Sequence, residues 1–500
     1  MTLHPSLAPG TRPAAATLAL ALLALFIVFA HLGEGHLANF DDCYYAEKAK
    51  EMVGSGDWIT PHYDGQVSLD NPPMFLWLMT GAFLLFGIRD VAAILPSAIA
   101  GVLCVVLLHR LALRLGLSSF AAWCAGVVLL TTQYFLKYSR HAMFDVFLTL
   151  LFLLAIHAYL RARDARPAFY ALLGLLCGLG VLTKNVLGLF PLVVAALHLA
   201  WTGRARDLLR PPFWLAPIAA AATVAPWYLA QLGAHRAQFV EEHFRWLLLE
   251  RGFAASSGEP GWINYLGYAR DLATYYWPWL PVAVWGVVLA VRRSRGSVLG
   301  ESDPAMPRDA AKLILLWILV VIGVMSVGRE KKLWYIMTAF PALALAAAIA
   351  LDAWIREASA RRRAVTWSVA LLAALALALN FVPSRRGKER LPGLYPIARV
   401  VSSAAAPGTR IVNYANGYWS IQNFMLYYSG HGLTKPTSDP DSARAALDGG
   451  ALALVASRRA AEIAGADSTR YRAWVRSGEW TLMRAGPERP VTIPSNDPYR

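Results

Sequence analysis

The sequence predicts an α-helical integral membrane protein with about 11 transmembrane helices (11–13), interfacial helices in its first outer loop, and a small C-terminal α/β domain on the outer face. Three observations predict this class. Over 500 residues the chain is 57% hydrophobic and only 16% charged, and its mean hydropathy is +0.43, above what a soluble domain shows. Apolar runs long enough for a bilayer core of ~30 Å recur from residue 14 to residue 383. Beyond residue 384 those runs shorten and change period.

The first run, 14 to 31, contains Val28-Phe29-Ala30, a loose small-x-small cleavage pattern. Its apolar core exceeds the ~7–15 residues of a secretory leader, so it is predicted to be a true span. Further spans are predicted at 91 to 113, 118 to 136, 143 to 161, 167 to 183, 185 to 202, 213 to 232, 273 to 292, 312 to 327, 333 to 352 and 363 to 383. With a cytoplasmic N-terminus, the loops carrying Arg110 and Arg114, Arg161 to Arg166, Arg204 to Arg210, Arg292 to Arg295 and Arg356 to Arg363 all fall inside, as the positive-inside bias requires. The net charge of +15 therefore reports orientation in the membrane, and no nucleic-acid partner is expected. Segments 39 to 90, 137 to 142, 233 to 272, 328 to 332 and all beyond 384 fall outside. Cys104, Cys124 and Cys177 lie in predicted spans and Cys43 in the first outer loop, a distribution that implies no disulfide framework.

The tail reads as a helix near 393 to 405, strand "RIVNYA", helix "WSIQNFMLYYS", helix "DSARAAL", and strands "ALALVAS" and "WTLMRA", an alternation that suggests a small α/β domain over 384–500 beside a membrane domain over 1–383. The chain shows no internal repeat, low-complexity tract or P-loop.

Ionisable residues near span ends are costly, and point to function. The outer stretch "NFDDCYYAEKAKEMVGSGDW" opens on Asp41 and Asp42, then alternates apolar Tyr45, Ala46, Ala49, Met52 and Val53 with Glu47, Lys48, Lys50 and Glu51, the pattern of a short interfacial helix. For an isolated Asp-Asp pair, helix capping is the favoured explanation. "SLDNPPMFLWL" sets Asp70 before Pro72-Pro73, which suit the first turn of a second interfacial helix. "SRHAMFDVFL" supplies Arg140, His141 and Asp145; "LTKN" supplies Lys184; "VEEHFRW" supplies His243 and Arg245; "GREKKLWY" supplies Arg329, Lys331, Lys332 and Tyr335. Outer basic residues run against the positive-inside tendency, and a bound phosphate is the simplest compensation; headgroup anchoring competes for any one cluster. Within spans, His157 and His198 read as interhelical hydrogen-bond partners, and "TYYWPWLP" and "PPFWL" as aromatic belts at the membrane edge.

"DDCYYAEKAKEM", "GDWITPHYDGQ", "DNPPMFLWL", "LPSAIAG", "SRHAMFDVFL", "GLGVLTK", "APWY", "EEHFRW" and "KKLWYIMTAFPALAL" occur in the order seen in polytopic type C glycosyltransferases. Over roughly residues 10 to 355 the chain resembles the aminoarabinose transferase and protein O-mannosyltransferase branch. The resemblance implies an inverting transfer of a sugar from a polyprenyl-phosphate donor to a hydroxyl or phosphate of an envelope acceptor (lipid A, another glycan or a protein) at the periplasmic face. It makes Asp41, beside Asp42, the catalytic base, and Lys184, Arg245, Arg329, Lys331, Lys332 and Tyr335 candidates for the donor phosphate. Asp70, Arg140, Asp145 and His243 become substrate-binding or structural positions. Tyr44, Asn71 and Asn185 depart from the branch's arginine, lysine and glycine. No cofactor is certain; a divalent cation at Asp70 and His243 is the one the donors suit, and two ligands fall short of a site. The rival expectations are a secondary transporter, against which stand charges gathered at one face and no repeated halves, and a catalytically silent lipid-binding scaffold, against which stand both retained acids.

Overall fold

A computed structural model describes residues 12–37, 40–164, 166–250, 266–296, 306–328, 331–356, 391, 393–414, 416–465 and 467–486, with scattered positions between 363 and 374. The chain divides into two compact units, one of residues 1–32, 69–78 and 94–382, the other of residues 33–68, 79–93 and 383–500.

The first unit is helical. Among the described residues, six stretches are long and apolar enough to cross a membrane: Asp90–Arg114, Phe144–Asp164, Phe169–Trp201, Pro211–Ala234, Arg308–Val327 and Leu333–Trp354. Phe144–Asp164 and Leu333–Trp354 have 83% of their apolar window buried against 22% for Pro211–Ala234, so the first two form the heart of the bundle and the third presents its apolar face outward. Trp317 stacks flat on Phe152 with ring centroids 4.7 Å apart and donates its indole N–H to the Thr338 carbonyl at 2.8 Å. Backbone meets backbone where glycine permits it: a Cβ on Gly286 would stand 1.7 Å from the Ala346 carbonyl oxygen, and one on Gly174 2.0 Å from that of Ala216. Small residues at helix crossings are how bundles pack when water offers no help.

Two expectations change here. The span predicted at 118 to 136 is broken: Ser119–Thr131 and Gln133–Ser139 meet at 68°, because Thr132 leaves helical geometry with ψ 118. The span predicted at 273 to 292 begins later, since Gly267–Tyr275 and Trp279–Ser294 are separate helices divided at Pro278, which cannot continue a helix from the residues before it. Within Phe169–Trp201 the helix Phe169–Lys184 ends at Asn185, whose φ is 51° and ψ −143°, and a Cβ on Gly188 would lie 2.2 Å from the Gly180 carbonyl carbon. In a continuous helix those residues would be ~12 Å apart, so the chain turns back on itself here. Of the span predicted at 363 to 383, only scattered positions up to 374 are among the described residues.

The second unit joins residues 33–68 and 79–93 to the tail. Helix Asp41–Ser55 starts without a side-chain cap and ends at Gly56, whose left-handed φ of 69° lets its N–H reach the Met52 carbonyl. The helix is not a surface-lying one: Glu47 and Lys48, read as its polar face, are buried, because helix Trp419–Ser429 packs against it. Strands β1 (His62–Tyr63) and β2 (Gln66–Val67) make a short hairpin. In the tail, β3 (Val412–Tyr414), β4 (Ala453–Ala456), β5 (Tyr471–Ser477) and β6 (Trp480–Ala485) form a sheet of order β3-β4-β6-β5. β3 and β4 are parallel, the other pairs antiparallel. Helices Leu394–Ala404, Trp419–Ser429 and Pro440–Asp448 accompany it. Strand β5 was not expected, its alternation being interrupted by a register shift between Ala473 and Val475.

Candidate active site

In the first unit the sequence candidates Lys184, Asp145 and Tyr335 come together. Asp145 occupies the first turn of Phe144–Asp164 and Lys184 the last residue of Phe169–Lys184, so both charges sit at helix ends. The Lys184 ammonium pairs with Asp145 Oδ1, lies 4.5 Å from the centre of the Tyr335 ring and 5.1 Å from that of Phe144. The Asp145 carboxylate is 1% exposed and the Lys184 side chain 14%. Asp145 Oδ2 is buried without a hydrogen-bond partner, as is Asn185 Oδ1. Among the described residues the Lys184 ammonium has one carboxylate oxygen as its hydrogen-bond acceptor. Aromatic faces and one carboxylate oxygen hold a cation that an incoming phosphate could compete for.

The other basic candidates are engaged differently. Arg140 donates to the carbonyls of Ile27 and Val28 in the last turn of helix Arg12–Phe29. Lys331 donates to the carbonyls of Met325, Ser326 and Gly328 at the end of helix Arg308–Val327. Both satisfy orphan C-terminal carbonyls. Arg245 pairs with Glu241 at 3.2 Å on an exposed surface, and Lys332 lies 5.9 Å from the Trp334 ring. Arg329 lies outside the described residues.

His243 and Asp70 belong to one local construction. His243 Nδ1 donates to the Leu69 carbonyl at 3.0 Å and Nε2 accepts from the Tyr228 hydroxyl at 2.8 Å. Glu242, which the sequence reading passed over, accepts the Leu69 N–H at 2.8 Å. Adjacent residues thus clamp both polar groups of the peptide before Asp70. Burial holds the His243 pKa below the usual range, opposed by the Leu69 carbonyl and Asp70. With both ring nitrogens occupied, His243 has no lone pair to offer a cation, and no group of three potential metal ligands occurs among the described residues. The arrangement does not fit a divalent ion at Asp70 and His243. Asn71 donates to the Asp70 carbonyl at 3.2 Å while its Oδ1 is buried and unpartnered.

In the second unit, Asp41 and Asp42 form the first turn of helix Asp41–Ser55, where the backbone N–H groups and the macrodipole favour carboxylates. Asp42 is buried and Asp41 half-buried. One turn on, the Tyr44 hydroxyl meets Ser68 Oγ at 3.2 Å, and its ring contacts Tyr63 and Trp419 with centroids 4.7 and 4.9 Å away. Lys48 lies 4.5 Å from the Tyr44 ring centre and donates to the Ser68 carbonyl at 3.5 Å. Lys50 pairs with Glu47 at 2.9 Å and donates to the Leu426 and Tyr427 carbonyls. Burial lifts the Glu47 pKa to about 7 in spite of Lys50. Burial likewise pushes the Cys43 thiol well up, so it offers no thiolate. The i, i+3 and i, i+4 spacings of Tyr44, Glu47, Lys48 and Lys50 were readable signals of this cluster.

Residues 70–229 match the family model described as dolichyl-phosphate-mannose-protein mannosyltransferase. The undecaprenyl phosphate-alpha-4-amino-4-deoxy-L-arabinose arabinosyl transferase of Aeromonas salmonicida is 29% identical over 72% of this chain and 64% of its own length. That of Pseudomonas paraeruginosa is 28% identical over 76% of this chain and 68% of its own. The chain thus spans about two thirds of these relatives. A crystal structure of ArnT from Cupriavidus metallidurans bound to undecaprenyl phosphate is 19% identical, with a TM-score of 0.73 over 96% of this chain and 100% of that one. The chain has the fold of that polytopic helical membrane protein.

Proposed function

We propose that this chain, ArnT-like in sequence and fold and protein-mannosyltransferase-like in sequence, is an inverting type C glycosyltransferase that moves a sugar from a polyprenyl-phosphate donor to an envelope acceptor. The observation that carries the reading is the Lys184 cluster: a cation at a helix end, held by one carboxylate oxygen and two aromatic faces. A polyprenyl phosphate leaves as a weakly basic anion, so its departure calls for positive charge and not for a general acid. Lys184 supplies that charge, and Tyr335, whose ring the ammonium faces, shares the donor phosphate site. Asp41 takes the acceptor proton as the oxygen attacks the anomeric carbon, and Asp42 supports it. Displacement from the face opposite phosphate inverts that carbon. His243 and Glu242 position the Asp70 segment. The comparisons favour this reading over a transporter or a silent scaffold.

The reading extends to topology: about eleven spans over 1–383, an α/β domain over 384–500, and an active site facing the exterior of a cell inner membrane. Purified protein in lipid, given a panel of radiolabelled polyprenyl-phosphate sugars and an extract of envelope acceptors, tests the function directly. Transfer by the wild type that is lost in Asp41→Asn is the expected result. A folded wild type that consumes none of the donors would overturn the proposal.

A further inference from the structure

The tail carries a cavity of about 870 Å³, within the size range of small-molecule sites, ~300–1,000 Å³. Its position is set by the sheet. β3 and β4 are parallel neighbours, and the segments leaving their carboxyl ends, Asn416–Tyr418 and Ser457–Arg459, form two of its walls. The crevice at the carboxyl ends of parallel strands is where α/β sheets bind ligands, because loops diverge there and helix N-termini converge.

The chemistry of the walls is specific. Tyr418 and Trp419 are 37% and 42% exposed, giving open aromatic faces of the kind on which sugar rings stack. Helix Trp419–Ser429 begins in the cavity, and its first turn has no side-chain cap, leaving N–H groups and the positive end of the dipole for an anion. The two arginines that follow β4 differ. Arg459 is paired bidentately with Glu462, both contacts 2.8 Å. Arg458, lining the same cavity, is exposed and has no hydrogen-bond or ion-pair partner among the described residues. Trp419 also packs on Tyr44, one helical turn beyond Asp41, so the cavity wall continues into the helix that carries the acids.

We infer that this cavity is a saccharide subsite for the acceptor, taking an acidic sugar whose ring lies on Trp419 and Tyr418 and whose carboxylate or phosphate is held by Arg458 and the helix N-terminus. The inference rests on the transferase reading for its role, and not for the binding itself. The test is calorimetric titration of the full-length protein in phosphatidylcholine nanodiscs with trigalacturonic acid, glucose 6-phosphate and neutral maltotriose. Acidic ligands are expected to bind at least about tenfold more tightly than maltotriose, and Arg458→Gln to remove that preference, as loss of one charge-assisted hydrogen bond would. The tighter of the two acidic ligands identifies the anionic group. Equal affinity for acidic and neutral sugars, no saturable binding, or an unchanged preference in Arg458→Gln would overturn the inference. Donor turnover measured on the same preparation separates the two claims: acidic-sugar binding without transfer keeps the cavity and removes the transferase, and transfer without such binding does the reverse.

Discussion

Lys184 and Lys50 are both lysines near buried carboxylates, and the structure uses them in opposite ways. Lys50 has Glu47 and two carbonyls at the end of helix Trp419–Ser429, so its hydrogen-bonding capacity is used. Lys184 has one oxygen of Asp145 and two ring faces, and no further hydrogen-bond acceptor among the described residues. Arg140 and Lys331 follow the Lys50 pattern. On the proposed reading the difference separates cations that complete the fold from the one that meets the donor phosphate, and it does so by partner type and not by residue type or depth.

The largest expected effect lies at neither lysine. Asp41→Asn should cost roughly 10²–10⁴-fold in turnover, the worth of a general base, with an unchanged unfolding profile; wild-type rates in the folded variant would remove Asp41 from the chemistry. Lys184→Met comes next. It strands the Asp145 charge at a cost of roughly 3–5 kcal/mol, and the double variant Lys184→Met, Asp145→Leu should recover stability without recovering donor binding. If the double variant also regains donor affinity, Lys184 is structural and the contrast with Lys50 collapses. Lys50→Met should leave donor affinity intact and lower stability by roughly 1–3 kcal/mol, since buried carbonyls lose their donor; a thermal melt in detergent reads it.

A pH titration sharpens the same comparison. The Glu47 pKa rises to about 7 on folding from an ordinary 4.5, so between those values the folded state binds more protons than the unfolded one. Its contribution to stability is therefore full below pH 4.5 and falls as pH rises through 7. Glu47→Gln should flatten stability across that window, and an unaltered slope would place the effect elsewhere. The smallest effect is expected at Arg245→Gln, under ~1 kcal/mol, because its partner Glu241 is as exposed as it is.

Much of this was legible in the chain. Long apolar runs marked helices such as Phe144–Asp164 and Pro211–Ala234 nearly to their ends, because bilayer length leaves a strong periodicity-independent signal. "LTKN", "MFDVF" and "KKLWY" each flagged one corner of the Lys184 cluster, but their convergence is tertiary. What sequence could not separate was phosphate-seeking cations from helix caps: Lys331 and Lys332 are adjacent, and only the direction of the chain after Val327 decides which of them meets the carbonyls. Glu47 and Lys48 were read as a wet face because the helix that covers them is far along the chain.

That distance has a temporal consequence. Lys50 and its Leu426 carbonyl are 376 residues apart, and at ~5–20 residues per second of synthesis roughly 20–75 s separate their appearance. Throughout that interval Glu47, Lys48 and Lys50 lack the helix that covers them, and Lys50 lacks two of its carbonyl acceptors. The helix bearing Asp41 and Asp42 therefore gains this cover only after Leu426 has been made. In the proposed mechanism, the acids that do the chemistry therefore depend on a segment made long after them.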